Sequence, residues 1–325
     1  MKKRIAIFAG YDKDGIVDDY VVYYIKELKK IADIIYVSDC NMLDSELEKI
    51  SDYCIHIING RHEEYDFGSY KRGYLYAKEN NILKNYDYLI LCNDSCYGPF
   101  FNFQEIVENM EGKNTDVWGM FKFLKCEGYE EHLQSYFVSM KQKVFLSNWY
   151  EYFIRSIKKE LSKIDIVKKY EIGMSVLFKE HGCSMSSFLD SSIKENENDW
   201  NDLVYTNVIK TIMYGFPFLK VGRMKYYSID GYYIDYIKNI ISYIKHSYDI
   251  SLICNNLNRT VKIRYACIFK NNICFGNKIF NINAAYNNMR YKIVFTIFNK
   301  MKITIFLPKS LVYRKKKDFN FLLDL

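Results

Sequence analysis

The chain has 325 residues, 49% hydrophobic and 26% charged, an ordinary globular composition able to bury a core in one large domain or one and a half ordinary ones. No apolar run approaches the roughly 20 residues that a membrane-crossing helix needs. The net charge of +7 is unevenly placed: from Tyr226 to Leu325 there are 16 Lys and Arg against 5 Asp, or +11, while the first 225 residues carry −4.

Arg4–Ala9 reads as a first strand. The apolar stretch from Ile5 to Gly10 is too short for a signal peptide and runs into Asp12, Lys13 and Asp14. Val17, Tyr20, Val21, Tyr24, Ile25, Leu28 and Ile31 then recur at helical spacing, with Asp18 and Asp19 near the start, where the helix dipole favours negative charge. Ile34–Ser38 and Cys54–Ile58 are the second and third strands, a helix is expected over Ser69–Leu83, and Tyr88–Cys92 is the fourth strand. This alternation predicts a mainly parallel sheet with right-handed crossovers.

Val117–Phe123 and Leu133–Met140 have strand character, Phe145–Ile164 that of a long helix, and Glu171–Glu180 that of another helix stopped by His181-Gly182. Ser191–Asn201 is polar and reads as a loop. Leu203–Met213 is a further helix, and Gly215–Lys220 turns into a short strand. In the tail, Tyr232–His246 is an amphipathic helix. Val261–Phe269, Ile279–Ala284, Tyr291–Phe298 and Lys302–Leu307 read as strands between Asn-rich turns.

Nine cysteines is an odd number at irregular spacing. Cys92 and Cys96 have no second pair to complete a zinc site, and free thiols in a reducing cytosol fit better.

The most informative stretch is residues 87–100. The apolar run Tyr88–Cys92 stops at Asn93-Asp94-Ser95, and a Gly98-Pro99 breaker follows. A carboxylate and an amide therefore sit where a buried strand leaves a sheet, which is where open α/β sheets bind ligands. A glycosyltransferase of the GT-A type places an Asp-x-Asp motif there, whose carboxylates hold a divalent metal against the diphosphate leaving group. Here one residue of the three is acidic. Asp94 can hold Mg²⁺ or Mn²⁺ with the Asn93 carbonyl, or hydrogen-bond the donor sugar or ribose directly, or close an Asx-turn.

Other strand ends carry further candidates. After the first strand, Tyr11 can stack on a base, and Asp12 or Asp14 can bond base or ribose groups; a solvated turn is the alternative. After the third strand, Asp66, Gly68, Lys71, Arg72 and Gly73 open a helix whose N-terminus favours an anion, although Asp66 is equally placed as an N-cap. Glu131, His132 and Gln134 feed a strand and are candidate contacts for acceptor hydroxyls. Glu171 is read as opening a helix; there it either complements the dipole or serves as a base.

Seven blocks, in order over about 10–224, resemble the rhamnan synthesis protein F family, bacterial glycosyltransferases of cell-wall, capsule and lipopolysaccharide assembly. They are Asp12-Lys13-Asp14-Gly15-Ile16-Val17-Asp18-Asp19-Tyr20, Tyr65-Asp66-Phe67-Gly68-Ser69-Tyr70-Lys71, Cys92-Asn93-Asp94-Ser95-Cys96-Tyr97-Gly98-Pro99, Asp116-Val117-Trp118-Gly119, His132-Leu133-Gln134-Ser135-Tyr136-Phe137, Tyr170-Glu171-Ile172-Gly173-Met174-Ser175 and Gly215-Phe216-Pro217-Phe218-Leu219-Lys220. The resemblance implies a cytoplasmic transferase using a nucleotide-activated sugar, with dTDP-L-rhamnose the default donor.

The expectation is then an α/β, GT-A-like nucleotide-binding domain over 1–225, a mixed sheet with flanking helices, followed by a basic β-rich extension over 226–325. Glu171 is the expected base and Asp94 faces the donor. The acceptor is a polysaccharide or a lipid-linked saccharide, and the basic tail meets the inner membrane surface, each Lys or Arg contributing roughly 1 kcal/mol near anionic lipid. A nucleic-acid-binding protein is the rival reading of the tail, but it leaves the strand-end residues unexplained, so no nucleic-acid partner is expected. A transferase of another group, such as phosphoryl, would use the same sheet.

Overall fold

The computed structural model describes residues 2–125, 130–192, 208–229 and 234–261, together with the strand segments 269–275, 278–287, 290–297 and 301–308. It falls into two compact units, Met1–Lys220 and Val221–Leu325.

The first unit opens with β1 (Arg4–Gly10), α1 (Asp19–Lys29), β2 (Asp33–Ser38), α2 (Asp44–Ser51), β3 (Cys54–Asn59), α3 (Tyr65–Glu79) and β4 (Tyr88–Asn93). It continues through β5 (Cys96–Tyr97), α4 (Phe103–Gly112), β6 (Val117–Phe123), β7 (His132–Leu133) and β8 (Phe137–Lys141). The helices α5 (Gln142–Phe145), α6 (Asn148–Ser156) and α7 (Lys163–Ile166) follow, then a π-helical stretch, Val167–Ile172, that runs directly into α8 (Gly173–Glu180). β9 (Met185–Asp190), α9 (Val208–Met213) and β10 (Leu219–Lys220) complete it.

The central sheet has the order β3-β2-β1-β4-β8-β6-β7, with β9 also paired to β6. β1 to β4 are mutually parallel, whereas β8 runs antiparallel to β4 and β6. This is the mixed sheet with flanking helices expected of a GT-A-like domain. Every residue of β1 and β4 is buried, which is why both read as unbroken apolar runs: helices cover both faces. On one face Ile5, Ile7, Leu89 and Leu91 meet Phe67, Tyr70 and Tyr74 of α3 in one core.

The parallel register brings the carboxyl ends of β1, β2, β3 and β4 to a single edge. Cys92 pairs with Phe137 across the antiparallel β4–β8 ladder, so the turn before β8 reaches the same edge. At the opposite edge Arg4 and Glu111 form a buried bidentate ion pair, with bonds of 2.7 and 2.9 Å.

Several expected elements differ. The long helix over 145–164 is broken: α6 ends at Ser156, and Ile157 is extended and buried. Lys71 Nζ donates to the Ile157 carbonyl and the Lys158 N–H to the Tyr170 hydroxyl, so tertiary partners replace the helical ones. The strand over 133–140 is interrupted at Gln134–Tyr136, where side chains from elsewhere satisfy the backbone. The helix expected to open at Glu171 in fact begins at Lys163, and Glu171 lies within its π-helical stretch. Its stop at Gly182 is as expected, with φ +67°. β9 and α2 were not expected.

The second unit contains α10 (Val221–Ile229), α11 (Ile234–Ile244) and α12 (Ile250–Thr260). α11 buries Ile237, Ile240, Ile241 and Ile244, the helical-period stripe of the expected amphipathic segment. Four strands, β11 (Phe269–Phe275), β12 (Lys278–Asn287), β13 (Arg290–Ile297) and β14 (Met301–Pro308), form an antiparallel meander. The last three overlap expected strands. Residues 262–268 of the strand expected at Val261–Phe269 lie outside the described residues, as do 193–201 of the expected loop and 203–207 of the helix expected over Leu203–Met213. Cys40, Cys54, Cys92, Cys96, Cys183 and Cys254 are free thiols.

Candidate active site at the carboxyl edge of the sheet

The Asn93-Asp94-Ser95 turn leaves β4 at this edge. The Asp94 N–H donates to the Ala9 carbonyl at 3.2 Å, and one Asp94 carboxylate oxygen accepts from the Tyr11 N–H at 2.7 Å. The Tyr20 hydroxyl donates to the Asp94 carbonyl at 2.8 Å. The turn is thus tied to the exit of β1 and to α1, and Asp94 remains half-buried.

Buried Asn93 organises the neighbouring polar groups. Its amide nitrogen donates to Asp66 at 2.7 Å, while its carbonyl oxygen accepts from the Ser95 N–H at 3.1 Å and hydroxyl at 2.6 Å. Burial pushes the Asp66 carboxyl above its usual range; Lys163 and Lys220 oppose the rise and Glu171 adds to it. Tyr70, one turn along α3 from Asp66, donates its hydroxyl to the Ser135 carbonyl at 2.9 Å. Ser135 donates to Glu171 Oε2 from its N–H at 3.2 Å and from its hydroxyl at 2.5 Å. The Glu171 side chain is about one-fifth exposed, and its other oxygen lies 3.9 Å from His132 Nε2. His132 Nδ1 is 2.8 Å from the Glu130 carbonyl, which can only accept, so Nδ1 donates there and Nε2 is the nitrogen that faces Glu171. The Tyr70 hydroxyl also lies against the Asn93 side chain, so polar contacts run from the β4 turn through Tyr70 and Ser135 to Glu171, with His132 beside it.

One cation completes this network. β10 pairs antiparallel with β5, placing Lys220 opposite Cys96. Lys220 is only 9% exposed; its ammonium lies 3.3 Å from the Ser95 hydroxyl and 3.5 Å from the centre of the Tyr136 ring.

The remaining sequence candidates divide. The Tyr11 ring is half exposed at the same edge, with the Arg61 guanidinium 5.5 Å away. Asp12 closes its own loop, accepting from the Asp14 N–H at 2.8 Å and the Ile16 N–H at 3.3 Å. Asp14 lies on the surface beside Lys13. Gly68 serves packing: a Cβ there would stand 2.3 Å from Glu64 Cβ and 2.7 Å from His62 Nδ1, so the space a phosphate would need is already filled. Lys71 is not a cleft cation, since it is tied to the Ile157 carbonyl at 2.6 Å, and Arg72 pairs with Glu64 at 2.5 Å. Glu131 is held between Lys122 and Lys179 at 2.9 and 2.8 Å, hydrogen bonds that lower its pKa. Gln134 joins the edge through its N–H, which donates to the Phe121 carbonyl.

Sequence reasoning missed Lys220, Ser135, Tyr70 and Asp39. Asp39, at the end of β2, accepts from the N–H groups of His62, Glu63 and Tyr65 and so holds the loop before α3, where Glu63 and Tyr65 take positive φ. A polar residue directly after an apolar strand was the available signal for Asp39; nothing local marks the other three.

Among the described residues no three His, Cys, Asp or Glu side chains converge to hold a metal ion. Asp94 is the single acid of its turn, its carboxylate is shared with the Tyr11 N–H, and an ammonium already stands at Ser95. This donor set does not fit a protein cage for Mg²⁺ or Mn²⁺.

An uncharacterized protein of Sinorhizobium fredii is 27% identical over 188 residues, covering 56% of this chain and 48% of that one. Virulence protein VirA of Vibrio anguillarum is 24% identical over 203 residues, covering 60% and 62%. The chain thus spans about half to three-fifths of the length of these curated relatives. Among solved structures, core-mannan synthase A of Aspergillus fumigatus in its Mn/GDP form gives a TM-score of 0.36 at 10% identity, covering 55% of this chain and 70% of that one. A glycosyltransferase involved in glycosylation of the major capsid of PBCV-1 gives 0.33 at 10% identity, covering 66% and 92%. The rhamnan synthesis protein F family matches residues 34–299, most of the chain, and the protein belongs to that family.

Proposed function

We propose that this protein is a glycosyltransferase that moves a sugar, by default L-rhamnose, from a nucleoside-diphosphate donor to a growing cell-surface polysaccharide or lipid-linked saccharide. The observation that carries the reading is the network at the sheet's carboxyl edge, which joins Asn93 of the β4 turn to the Glu171 carboxylate through Tyr70 and Ser135.

In this reading Glu171 takes the proton from the acceptor hydroxyl. That oxygen attacks the anomeric carbon, and the bond from this carbon to the β-phosphate oxygen breaks. Its electron pair leaves with the nucleoside diphosphate. Ser135 is a positioning residue, holding Glu171 by two hydrogen bonds to one carboxylate oxygen. Asp94 hydrogen-bonds the donor sugar or ribose, and the exposed Tyr11 ring offers a stacking face for the base. Tertiary fixing of these groups before the donor arrives is what allows fixed charges to stabilise the departing diphosphate.

The +11 tail supports a peripheral place on the cytoplasmic face of the inner membrane, beside lipid-linked acceptors. No helix among the described residues is long and apolar enough to cross a membrane.

A thermal-shift and turnover screen against UDP, GDP, CMP and dTDP sugars, with and without Mn²⁺, tests the reading. Stabilisation by one sugar nucleotide, about 2.7 kcal/mol at a hundredfold excess over Kd, is expected. Failure of every sugar nucleotide to bind would overturn it.

A further inference from the structure

We infer that Lys220 is the cation that receives the donor's diphosphate, the task that a divalent metal performs in a site built on paired acids. The inference rests on the glycosyltransferase reading and adds to it the group that meets the leaving charge.

The ammonium is placed, not tethered loosely. The segment that carries it is clamped onto the chain just beyond the β4 turn. The Phe100 N–H donates to the Pro217 carbonyl at 2.9 Å, and the β10–β5 ladder pairs Leu219 with Tyr97 and Lys220 with Cys96. Gly98 adopts φ +123°, and a Cβ there would stand 2.3 Å from the Pro217 oxygen, so a glycine is what lets the two segments close. The side chain then lies along the Tyr136 ring and ends 3.3 Å from the Ser95 hydroxyl.

A lysine this buried is costly unless an anion meets it. Its close partners are neutral: the Ser95 hydroxyl, the Tyr136 ring and the Cys96 thiol. Of the nearby acids, Asp66 accepts from the Asn93 amide and Asp94 from the Tyr11 N–H. Lys220 still acts electrostatically on Asp66 and on Cys96, which places its charge at the end of β4. An ammonium is a compact point charge suited to phosphate oxygens. A divalent ion brought to the same spot would meet it as a like charge. A nucleoside diphosphate supplies an anion at direct contact with the ammonium. When the anomeric C–O bond breaks, the electron pair goes to the β-phosphate oxygen, where the Lys220 ammonium can meet it.

The test uses the full chain and calorimetry. The tightest binder among UDP, GDP, CDP and dTDP is titrated in EDTA and again in Mn²⁺, with its nucleoside as a control. The wild type should bind the diphosphate in EDTA within about threefold of its affinity in Mn²⁺. Lys220→Met, which keeps the packing on Tyr136, should weaken the diphosphate about 10–100-fold and the nucleoside less than threefold, as expected for loss of a charge-assisted contact. Lys220→Arg should retain most of the affinity. Diphosphate binding that is equal in Lys220→Met, or a strict requirement for Mn²⁺ in the wild type, overturns the inference and leaves the glycosyltransferase reading intact. If Lys220→Met fails to fold, the comparison of EDTA with Mn²⁺ in the wild type decides alone. A wild type that binds no nucleoside diphosphate removes both.

Discussion

Ser135 donates two hydrogen bonds to one oxygen of Glu171, across 36 residues of sequence. The serine belongs to the turn that interrupts an expected strand, and the glutamate to a π-helical stretch inside a continuous helix. Each local irregularity brings its residue to the other, and π-helical insertions of this kind are frequent at functional sites.

Glu171→Gln tests the role of that carboxylate. The Gln oxygen can accept from the same two donors, so the fold should persist. Donor affinity should stay within about twofold, while kcat should fall roughly 10²–10⁴-fold, the usual worth of a positioned proton acceptor. Steady-state kinetics paired with donor titration checks this, and retained turnover would remove Glu171 from the mechanism.

Asp94→Asn probes the donor side. Its amide oxygen can replace the carboxylate oxygen that accepts from the Tyr11 N–H, so unfolding curves should overlay those of the wild type. Turnover should be abolished. An active Asp94→Asn enzyme would reduce Asp94 to a residue that closes its turn.

His62 gives a pH signature in stability that is separate from catalysis. Its Nδ1 accepts from the Glu64 N–H at 3.2 Å and its Nε2 bonds the Ser69 hydroxyl at 3.0 Å, a pattern that belongs to the neutral ring. Burial, despite Asp39 nearby, lowers its pKa from 6.5 to about 4. Between those values the unfolded chain binds the proton and the folded chain does not. The His62 contribution is therefore complete above pH 6.5 and is lost as the pH falls toward 4. Urea unfolding across that window should show the loss in the wild type and a flatter dependence in His62→Gln.

The basic tail should bind anionic membranes. Replacing Arg314, Lys315, Lys316 and Lys317 by Ala removes four charges, each worth roughly 1 kcal/mol at an anionic surface, and should lower partitioning by up to about three orders of magnitude. Flotation of the full chain with phosphatidylserine-containing and neutral vesicles measures it. Equal flotation of both proteins with anionic vesicles would show that the membrane is held elsewhere.

The class of fold and the position of its edge are legible in the apolar runs alone. Strands buried on both faces must be apolar throughout, so Arg4–Ala9 and Tyr88–Cys92 are legible as buried strands of a mainly parallel sheet, and the first polar residues after them mark its carboxyl end; that they are neighbours is a matter of the folded register. Asn93, Asp94 and Tyr11 were found in that way. Only the tertiary structure decided the rest. Lys220 reaches Ser95 across 125 residues because a two-residue ladder and a glycine-permitted contact close there, and no periodicity reports such a pairing. Glu171 was legible as an acid near a helix, but not as the acid held by Ser135. Gly68 and Lys71 looked like parts of an anion site, yet one makes room for His62 and the other ties down a carbonyl where a helix breaks. Hydrophobic spacing records which face of each element is buried; which polar groups then meet depends on how the elements are threaded, and that is a property of the folded chain alone.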